Sequence, residues 1–484
     1  MSSTKKNFAY QIAYQILVSI LPFITSPYLA RVIGAEGVGV YSYTRSVVVW
    51  FLVFADLGIV NYGNRAVARV RDDKENLSRT FSSLYALHVV LVLLDMAAYL
   101  IYLRFFVTEN RVIAWIQIFY MIGDLFDINW FFFGLEKFRL TVVRNMIVKV
   151  ATVFSVFIFV KSADDLWIYV FILAFGQCLS SSCVWMFVPR YTKFSRFTVK
   201  DMLAHLKPLA VLGFSSIAVT IYSYMDKIMI GSMSSAAELG YYENAWKMIE
   251  FPVAFITALG TVLLPKASNL VAKGVNIDGY IEKSMRISMF FASAVGFGLA
   301  AIADDFAVMF WGEDFARSGT LIFIMSVLVF IMSWNGVVRS VYLIPEGHDK
   351  VYMWAVISAA AVNLIINGLL IPRYGSGGAA VGTVFAYLAV FIVQNIYAKR
   401  ELNLGRYVKT SIPYFVVGFI MFAAVRFAGS LTGATVAGVC IQVAAGAAVY
   451  MGLAEGYAFA FKDQLIMDST KEIVSHLKKR PAKK

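Results

Sequence analysis

Fourteen mainly apolar stretches, separated by short polar connections, fill the chain almost from end to end. Most are long enough to cross the ~30 Å hydrocarbon core of a bilayer, which takes about 20 helical residues. The pattern predicts an all-α polytopic membrane protein. The predicted spans are residues 8–33, 40–63, 81–103, 111–133, 142–160, 166–188, 208–231, 241–264, 285–303, 320–344, 351–371, 379–397, 410–427 and 435–460.

Composition supports the same conclusion. Hydrophobic residues make up 60% of the 484 residues, against roughly 45–50% in an average soluble chain, and the mean hydropathy is +0.71. No connection has the length and the alternating pattern of a folded domain outside the membrane. A soluble protein is therefore excluded.

Positive charge is distributed unevenly between the two sides of the predicted bundle. Of the 43 lysine and arginine residues, 32 lie on or near one set of alternate connections and on both tails, and six lie on or near the other set. The positive-inside rule then places both termini in the cytoplasm. We expect a protein of the inner (plasma) membrane, whose net charge of +13 needs no nucleic-acid partner. The basic tail either touches anionic membrane lipids or is simply solvated.

A weak internal repeat divides the chain. RVIG from Arg31 is followed by Gly39-Val40-Tyr41, and KIMIG from Lys227 is followed by Gly240-Tyr241-Tyr242. Two six-span halves in the same orientation explain this pattern, and chance similarity between apolar segments is the competing explanation. The predicted organisation is an N-lobe of spans 1–6 (residues 1–207), a C-lobe of spans 7–12 (residues 208–400), and spans 13–14 with the basic tail (residues 401–484).

Five cations stand out at membrane depth: Arg31, Arg45, Lys227, Lys247 and Arg339. Charges at membrane depth are costly and are usually paired or functional. In a shared cavity these five would bind a phosphate or pyrophosphate, to which arginine offers a bidentate contact. Alternatively, Lys247 pairs with Glu243 or Glu250 on its own helix, Arg31 extends to the outer membrane surface, and Arg339 extends to the inner one.

Carboxylates also occur at membrane depth. Asp124 and Asp127 are spaced i, i+3, which would place them on one helix face and suit one of them to bind a proton or sodium ion while the other sets its pKa. Hydrogen bonds in helix packing explain them equally well. His88 precedes Asp95 by seven residues in the third span, and a packing role for this histidine is the simpler interpretation.

Several kinds of chemistry have no sequence motif here. There is no P-loop for ATP hydrolysis, no H-E-x-x-H and no G-x-S-x-G. The three cysteines have no metal-type spacing. We therefore expect no catalytic residues, no metal and no cofactor, and an enzyme is disfavoured.

Seven strings resemble the polysaccharide-transporter (Wzx-type, O-antigen flippase) branch of the multidrug/oligosaccharidyl-lipid/polysaccharide exporter superfamily. They are SPYLARVIGAEGVGVYS from Ser26, FADLGI from Phe54, NRAVARVR from Asn64, FFFGLEKF from Phe131, MDKIMIG from Met225, IPEGHDK from Ile344 and IPRYGSGGAAVGT from Ile371. Their order and spacing match that family across nearly the whole chain.

This resemblance implies a MATE-like protein of about 14 transmembrane helices, with two six-helix lobes around a central cavity and two further C-terminal helices. It implies a flippase that moves undecaprenyl-pyrophosphate-linked oligosaccharide to the outer leaflet for surface polysaccharide assembly, with other assembly proteins as further partners. The cavity in that family is typically cationic, a part that the five cations above could play. A multidrug or metabolite exporter of the same superfamily and a membrane-integral glycan polymerase are the alternatives.

Overall fold

A computed structural model describes residues 3–461 of the chain. This part is helical and contains no strand. The α-helices are α1 (Ser3–Val32), α2 (Gly34–Asp56), α3 (Ile59–Val70), α4 (Lys74–Phe105), α5 (Arg111–Ile116), α6 (Ile118–Leu125), α7 (Asn129–Gly134), α8 (Phe138–Phe159), α9 (Leu166–Cys183), α10 (Val199–Ala204), α11 (Leu206–Met233), α12 (Ala236–Ala272), α13 (Asp278–Trp311), α14 (Ala316–Met325), α15 (Val327–Val337), α16 (Asp349–Tyr374), α17 (Ser376–Ala398), α18 (Leu404–Thr432) and α19 (Val436–Phe461).

Helical structure covers most of each predicted apolar stretch. Within the described residues, ten helical segments are long and apolar enough to cross a membrane, and a bent pair in Glu313–Leu343 raises the number to 11. The prediction of a helical, multi-pass membrane protein is thus confirmed. The predicted basic tail beyond residue 461 lies outside the described part.

The fourth predicted span is broken twice, at Gln117 and at residues 126–128, which separates α5, α6 and α7. Asp124 lies near the end of α6, and the backbone N–H of Asp127 donates to the Asp124 carbonyl at 2.9 Å in the turn that follows. The carboxylate of Asp127 then accepts from the backbone N–H of Asn129 at 2.7 Å. Because the helix ends between the two carboxylates, the premise that they share one helix face is wrong.

The second predicted span is also interrupted. Leu57 and Gly58 have φ angles of 36° and 74° and separate α2 from α3. A left-handed conformation is unfavourable for leucine, and α11 packs on this break through Gly213, where an added Cβ would overlap the Leu57 backbone. The close contact between Gly213 and the Leu57 backbone therefore fixes the break between α2 and α3.

The connection between α9 and α11 is fixed to α4 by charge and by helix capping. Thr198 begins α10 with a capping box, in which its N–H donates to Asp201 at 2.8 Å. Arg79 of α4 pairs with the same carboxylate at 2.8 Å. The Thr198 backbone N–H and the Arg79 guanidinium lower the pKa of Asp201 to about 2, so this link is charged at neutral pH.

The chain forms two compact units. The first is Met1–Glu243 with Asn363–Ala379, and the second is Asn244–Val362 with Ala380–Lys484. Aromatic side chains fill the core of the first unit, including buried Phe81, Trp130 and Phe131.

In the second unit α13 packs against α18 and α19. The Tyr450 hydroxyl donates to the Phe290 carbonyl there at 2.7 Å. The lobe boundaries at residues 207 and 400 stay a prediction.

Inside the first unit, α2 and the start of α12 cross with their backbones in close contact. A Cβ added at Gly39 would overlap the carbonyl of Ala236, and one added at Gly240 would overlap the carbonyl of Ala35. Ala236 and Gly240 follow Ala35 and Gly39, respectively, at the same distance along the chain. The glycine of each helix therefore faces the alanine of the other, and the contact is reciprocal, as in a two-fold interface. This reciprocity agrees with the weak repeat seen in the sequence.

Replacing Gly39 with alanine should destabilise the protein by about 1–3 kcal/mol, the usual cost of overpacking, because the added methyl group must push the two backbones apart. Gly368→Ala is the matched control, since an added Cβ on Gly368 of α16 meets no atom within 4 Å. The control should unfold at the same temperature as the parent or slightly higher. Thermal unfolding of the purified proteins in detergent measures both, and equal stability of the two variants would contradict the role of this crossing.

Candidate functional site

The five cations predicted to line a cavity divide between the two compact units. Arg31, Arg45 and Lys227 lie in the first unit, and Lys247 and Arg339 lie in the second. Their surroundings differ, so each is described by its own contacts.

Arg45 is the cation whose environment best suits an anion. Its guanidinium carbon lies 3.8 Å from the centre of the Tyr120 ring, and its Nη1 atom is buried with no hydrogen-bond partner among the described residues. A buried N–H without an acceptor costs free energy. The position of Arg45 therefore leaves a donor that an anionic oxygen would satisfy.

Lys149 of α8, which lies in the fifth predicted span, is a further cation near Arg45. The charges of Arg45 and Lys149 lie within electrostatic range of each other. The sequence analysis did not single out Lys149, although its position within an apolar stretch was a usable signal.

Lys227 has a strong partner. Its Nζ atom lies 2.8 Å from the Glu243 carboxylate, and both side chains are only 15% exposed. The Ser42 hydroxyl donates to the same carboxylate at 2.8 Å. The positive charge of Lys227 is thus compensated by Glu243, which the sequence analysis considered as a partner of Lys247.

The other three cations each have a described local contact. Lys247 donates to the Asn244 side chain at 3.5 Å. Exposed Arg31 donates to the Pro27 carbonyl of its own helix at 3.0 Å. Arg339 lies in a π-helical segment, Val338–Leu343, with its guanidinium 5.6 Å from the centre of the Tyr352 ring. Such π-helical turns are frequent at functional sites.

Acidic side chains gather between α2, α4 and α6 in the first unit. Asp56 lies within electrostatic range of His88, Asp95, Asp124 and Asp127. Asp95 is 8% exposed and His88 is 1% exposed. One atom in each of three groups, Asp95 Oδ2, Asp124 Oδ2 and His88 Nδ1, is buried with no partner among the described residues. The local field there favours a proton or another cation.

A second buried carboxylate is surrounded by neutral donors. Asp226 of α11 accepts from the Tyr242 hydroxyl at 2.7 Å and from the side-chain amides of Asn363 and Asn367 at 2.7 and 2.6 Å. All four residues belong to the first unit. Sequence reasoning missed the two asparagines, although their i, i+4 spacing in an apolar span was a usable signal.

Comparison with known proteins gives a consistent result. A family model described as polysaccharide biosynthesis protein matches residues 4–271. A Shigella dysenteriae protein named "Putative O-antigen transporter" is 22% identical over 383 residues, which cover 77% of this chain and 94% of that protein.

Solved structures show the fold. The lipid II flippase MurJ in an inward closed conformation superimposes with a TM-score of 0.75 at 14% identity, covering 93% of this chain and 99% of that one. An inward-facing multidrug resistance MATE family transporter of the MOP superfamily has a TM-score of 0.58 at 14% identity, with coverages of 84% and 95%. At these identities the likeness concerns the fold alone.

The Lys227–Glu243 pair yields a stability prediction. Lys227→Ala leaves a carboxylate in a poorly hydrated site, which typically costs about 3 kcal/mol or more. The double variant Lys227→Ala/Glu243→Ala should recover part of this loss, because no unpaired charge remains. The matched control is Arg71→Ala, which breaks the exposed Arg71–Glu136 pair and should leave stability nearly unchanged. Unfolding in detergent measures all three, and a double variant less stable than Lys227→Ala would contradict the assignment.

Proposed function

The chain belongs to the polysaccharide biosynthesis protein family, and from this we propose that it is a flippase that moves lipid-linked oligosaccharide across the cytoplasmic membrane. The carrier in this proposal is undecaprenyl pyrophosphate, and the product serves surface polysaccharide assembly. The observation that carries the proposal is Arg45, a guanidinium with one buried and unsatisfied N–H group.

Physical chemistry explains why such a substrate needs a protein. Each sugar hydroxyl costs several kcal/mol to remove from water into hydrocarbon without a partner, and the charged pyrophosphate costs more. A polar path with fixed cations replaces the lost hydration. The polyprenyl tail can remain in lipid while the head group passes through the protein.

In the proposed mechanism Arg31, Arg45, Lys227, Lys247 and Arg339 line a cavity that binds the pyrophosphate. Arg45 makes the direct contact, supported by the charge of Lys149. Lys227 keeps its pairing with Glu243 and acts by positioning.

The proposed architecture has fourteen spans in two six-helix lobes with two additional helices, and both termini lie in the cytoplasm. Alternating access exchanges two arrangements of the lobes. Asp124 and Asp127 are proposed to couple this exchange to a proton or sodium ion. No step of the proposal makes or breaks a covalent bond, so the protein is a transporter in this account and not an enzyme.

Arg45→Ala should lower the flipping rate by roughly tenfold or more, since a charged hydrogen bond contributes about 1.5–3 kcal/mol. Arg45→Lys should restore only part of the rate, because lysine lacks the bidentate fork. Arg196, which is exposed on the connection before α10, provides the control variant Arg196→Ala. Proteoliposomes with a fluorescent lipid-linked oligosaccharide, and an impermeant quencher outside, measure the rate.

The same assay separates the alternatives. Full activity of Arg45→Ala contradicts the anion contact. Export of cationic dyes without flipping would identify a multidrug exporter, and new glycosidic bonds in the liposomes would identify a polymerase.

Ion coupling makes a separate prediction. A proton or sodium gradient should accelerate flipping by the parent protein, and Asp124→Asn should abolish this acceleration, because the neutral amide cannot exchange a cation. Asp164→Asn, on an exposed connection, is the control and should behave like the parent. If the parent rate is the same under every gradient, the carboxylates are structural and the protein is a facilitator.

A further inference from the structure

A cavity of about 410 Å³ opens within the first unit, apart from the predicted cations. Its wall comes from three places: the first half of α2, the end of α4 with residues 106–110, and the junction of α11 with α12. These connections lie on the side of the bundle that carries few basic residues in the sequence, which is the predicted external side.

Carboxylates and hydroxyls are prominent among the polar groups of this cavity, which also include the side-chain amide of Asn110. Two carboxylates, Glu36 and Glu109, and the hydroxyls of Ser234 and Ser235 line it, and the described lining residues include no lysine, arginine or histidine. Negative charge without a cation repels phosphate. The cavity is therefore suited to a ligand that donates hydrogen bonds and carries no negative charge.

Part of the cavity wall is aromatic. Tyr43, Tyr99 and Tyr102 line the cavity, and the Tyr99 hydroxyl is held by its hydrogen bond to the Ala114 carbonyl at 2.7 Å. Aromatic rings provide large, rigid contact area. A pyranose ring presents apolar C–H faces and a rim of hydroxyl donors. The faces suit contact with the aromatic rings, and the hydroxyls suit hydrogen bonds to the carboxylates.

The cavity also depends on a small residue. A Cβ added at Gly231 would overlap the Tyr43 ring, so the glycine lets this ring lie against α11. A larger side chain at position 231 would displace the ring toward the cavity.

We propose that this cavity is a binding site for uncharged sugar residues of the glycan, on the side where the flipped unit emerges. The proposal deepens the flippase function and rests on it. Glu36 and Glu109 accept hydrogen bonds from sugar hydroxyls, and the tyrosine rings contact the C–H faces. The volume falls in the range of small-molecule sites, about 300–1,000 Å³, and is larger than a single metal ion requires.

The test uses the purified full-length protein in nanodiscs and the neutral disaccharides maltose, cellobiose, lactose and chitobiose. Saturation-transfer NMR detects binding and titration gives Kd. At least one disaccharide should bind, and the double variant Glu36→Gln/Glu109→Gln should raise its Kd by roughly tenfold, since hydrogen bonds to charged groups are lost. Tyr102→Ala should weaken binding similarly, whereas Tyr102→Phe keeps the ring and should retain most of it. Gly231→Ala should reduce binding, and Gly368→Ala should not.

Three results would overturn the proposal: no binding of any disaccharide in the panel, equal binding by the parent and the Glu36→Gln/Glu109→Gln variant, or calcium binding at the two glutamates in place of sugar. Circular dichroism verifies that each variant is folded. If Gly231→Ala is unfolded, the comparison of Tyr102→Ala with Tyr102→Phe still tests the site. Binding is measured without transport. Sugar binding in a protein that flips nothing would contradict the flippase function alone, and flipping by a protein that binds no sugar here would contradict this site alone.

Discussion

The close crossing of α2 and α12 at Gly39 and Gly240 is the constraint on which the arrangement of the first unit depends. Each glycine leaves no room for a side chain between its own backbone and the facing carbonyl. Close backbone approach through small residues is how helices associate where lipid removes the hydrophobic driving force. Ser42 and Glu243 each follow their glycine by three residues, and they meet in a hydrogen bond one turn beyond the crossing. The crossing thereby positions the carboxylate that pairs with Lys227.

Three charged residues of this unit are compensated in physically different ways. Lys227 has a carboxylate partner, Asp226 accepts from a tyrosine and two asparagines, and Arg45 lies on an aromatic ring. An ion pair and a satisfied hydrogen-bond network tie helices together and resist change. A ring satisfies the guanidinium face but none of its N–H groups. Arg45 is accordingly the charge in this group with capacity left for a ligand.

The helices could be predicted from the sequence because apolar length alone decides which segments can enter a bilayer. The breaks could not. Leu57 adopts a left-handed conformation because of its packing against α11, and no local residue preference indicates it. The i, i+3 spacing of Asp124 and Asp127 similarly gave a wrong prediction, because residues at this spacing share a face only while the helix continues.

The ion-pair partner of Glu243 also could not be identified from the sequence. Glu243 lies four residues before Lys247 on α12, yet its carboxylate pairs with Lys227 of α11. An i, i+4 pair contributes only about 0.2–0.5 kcal/mol, so such spacing cannot by itself identify the partner of a buried carboxylate. The presence of cations and carboxylates at membrane depth was predictable, and their grouping required the fold.

The two proposed sites of the first unit lie along one helix. Glu36 is in the first turn of α2, and Arg45 follows nine positions later, a rise of about 14 Å at 1.5 Å per residue. A lipid-linked sugar has a corresponding arrangement of groups, with a pyrophosphate at one end of the head group and uncharged sugar rings at the other. A carboxylate-lined end repels the phosphate that Arg45 attracts, so the charges of α2 would favour one orientation of the substrate over its reverse. Because the crossing at Gly39 lies between Glu36 and Arg45, any shift of α12 against α2 would change the surroundings of both sites together.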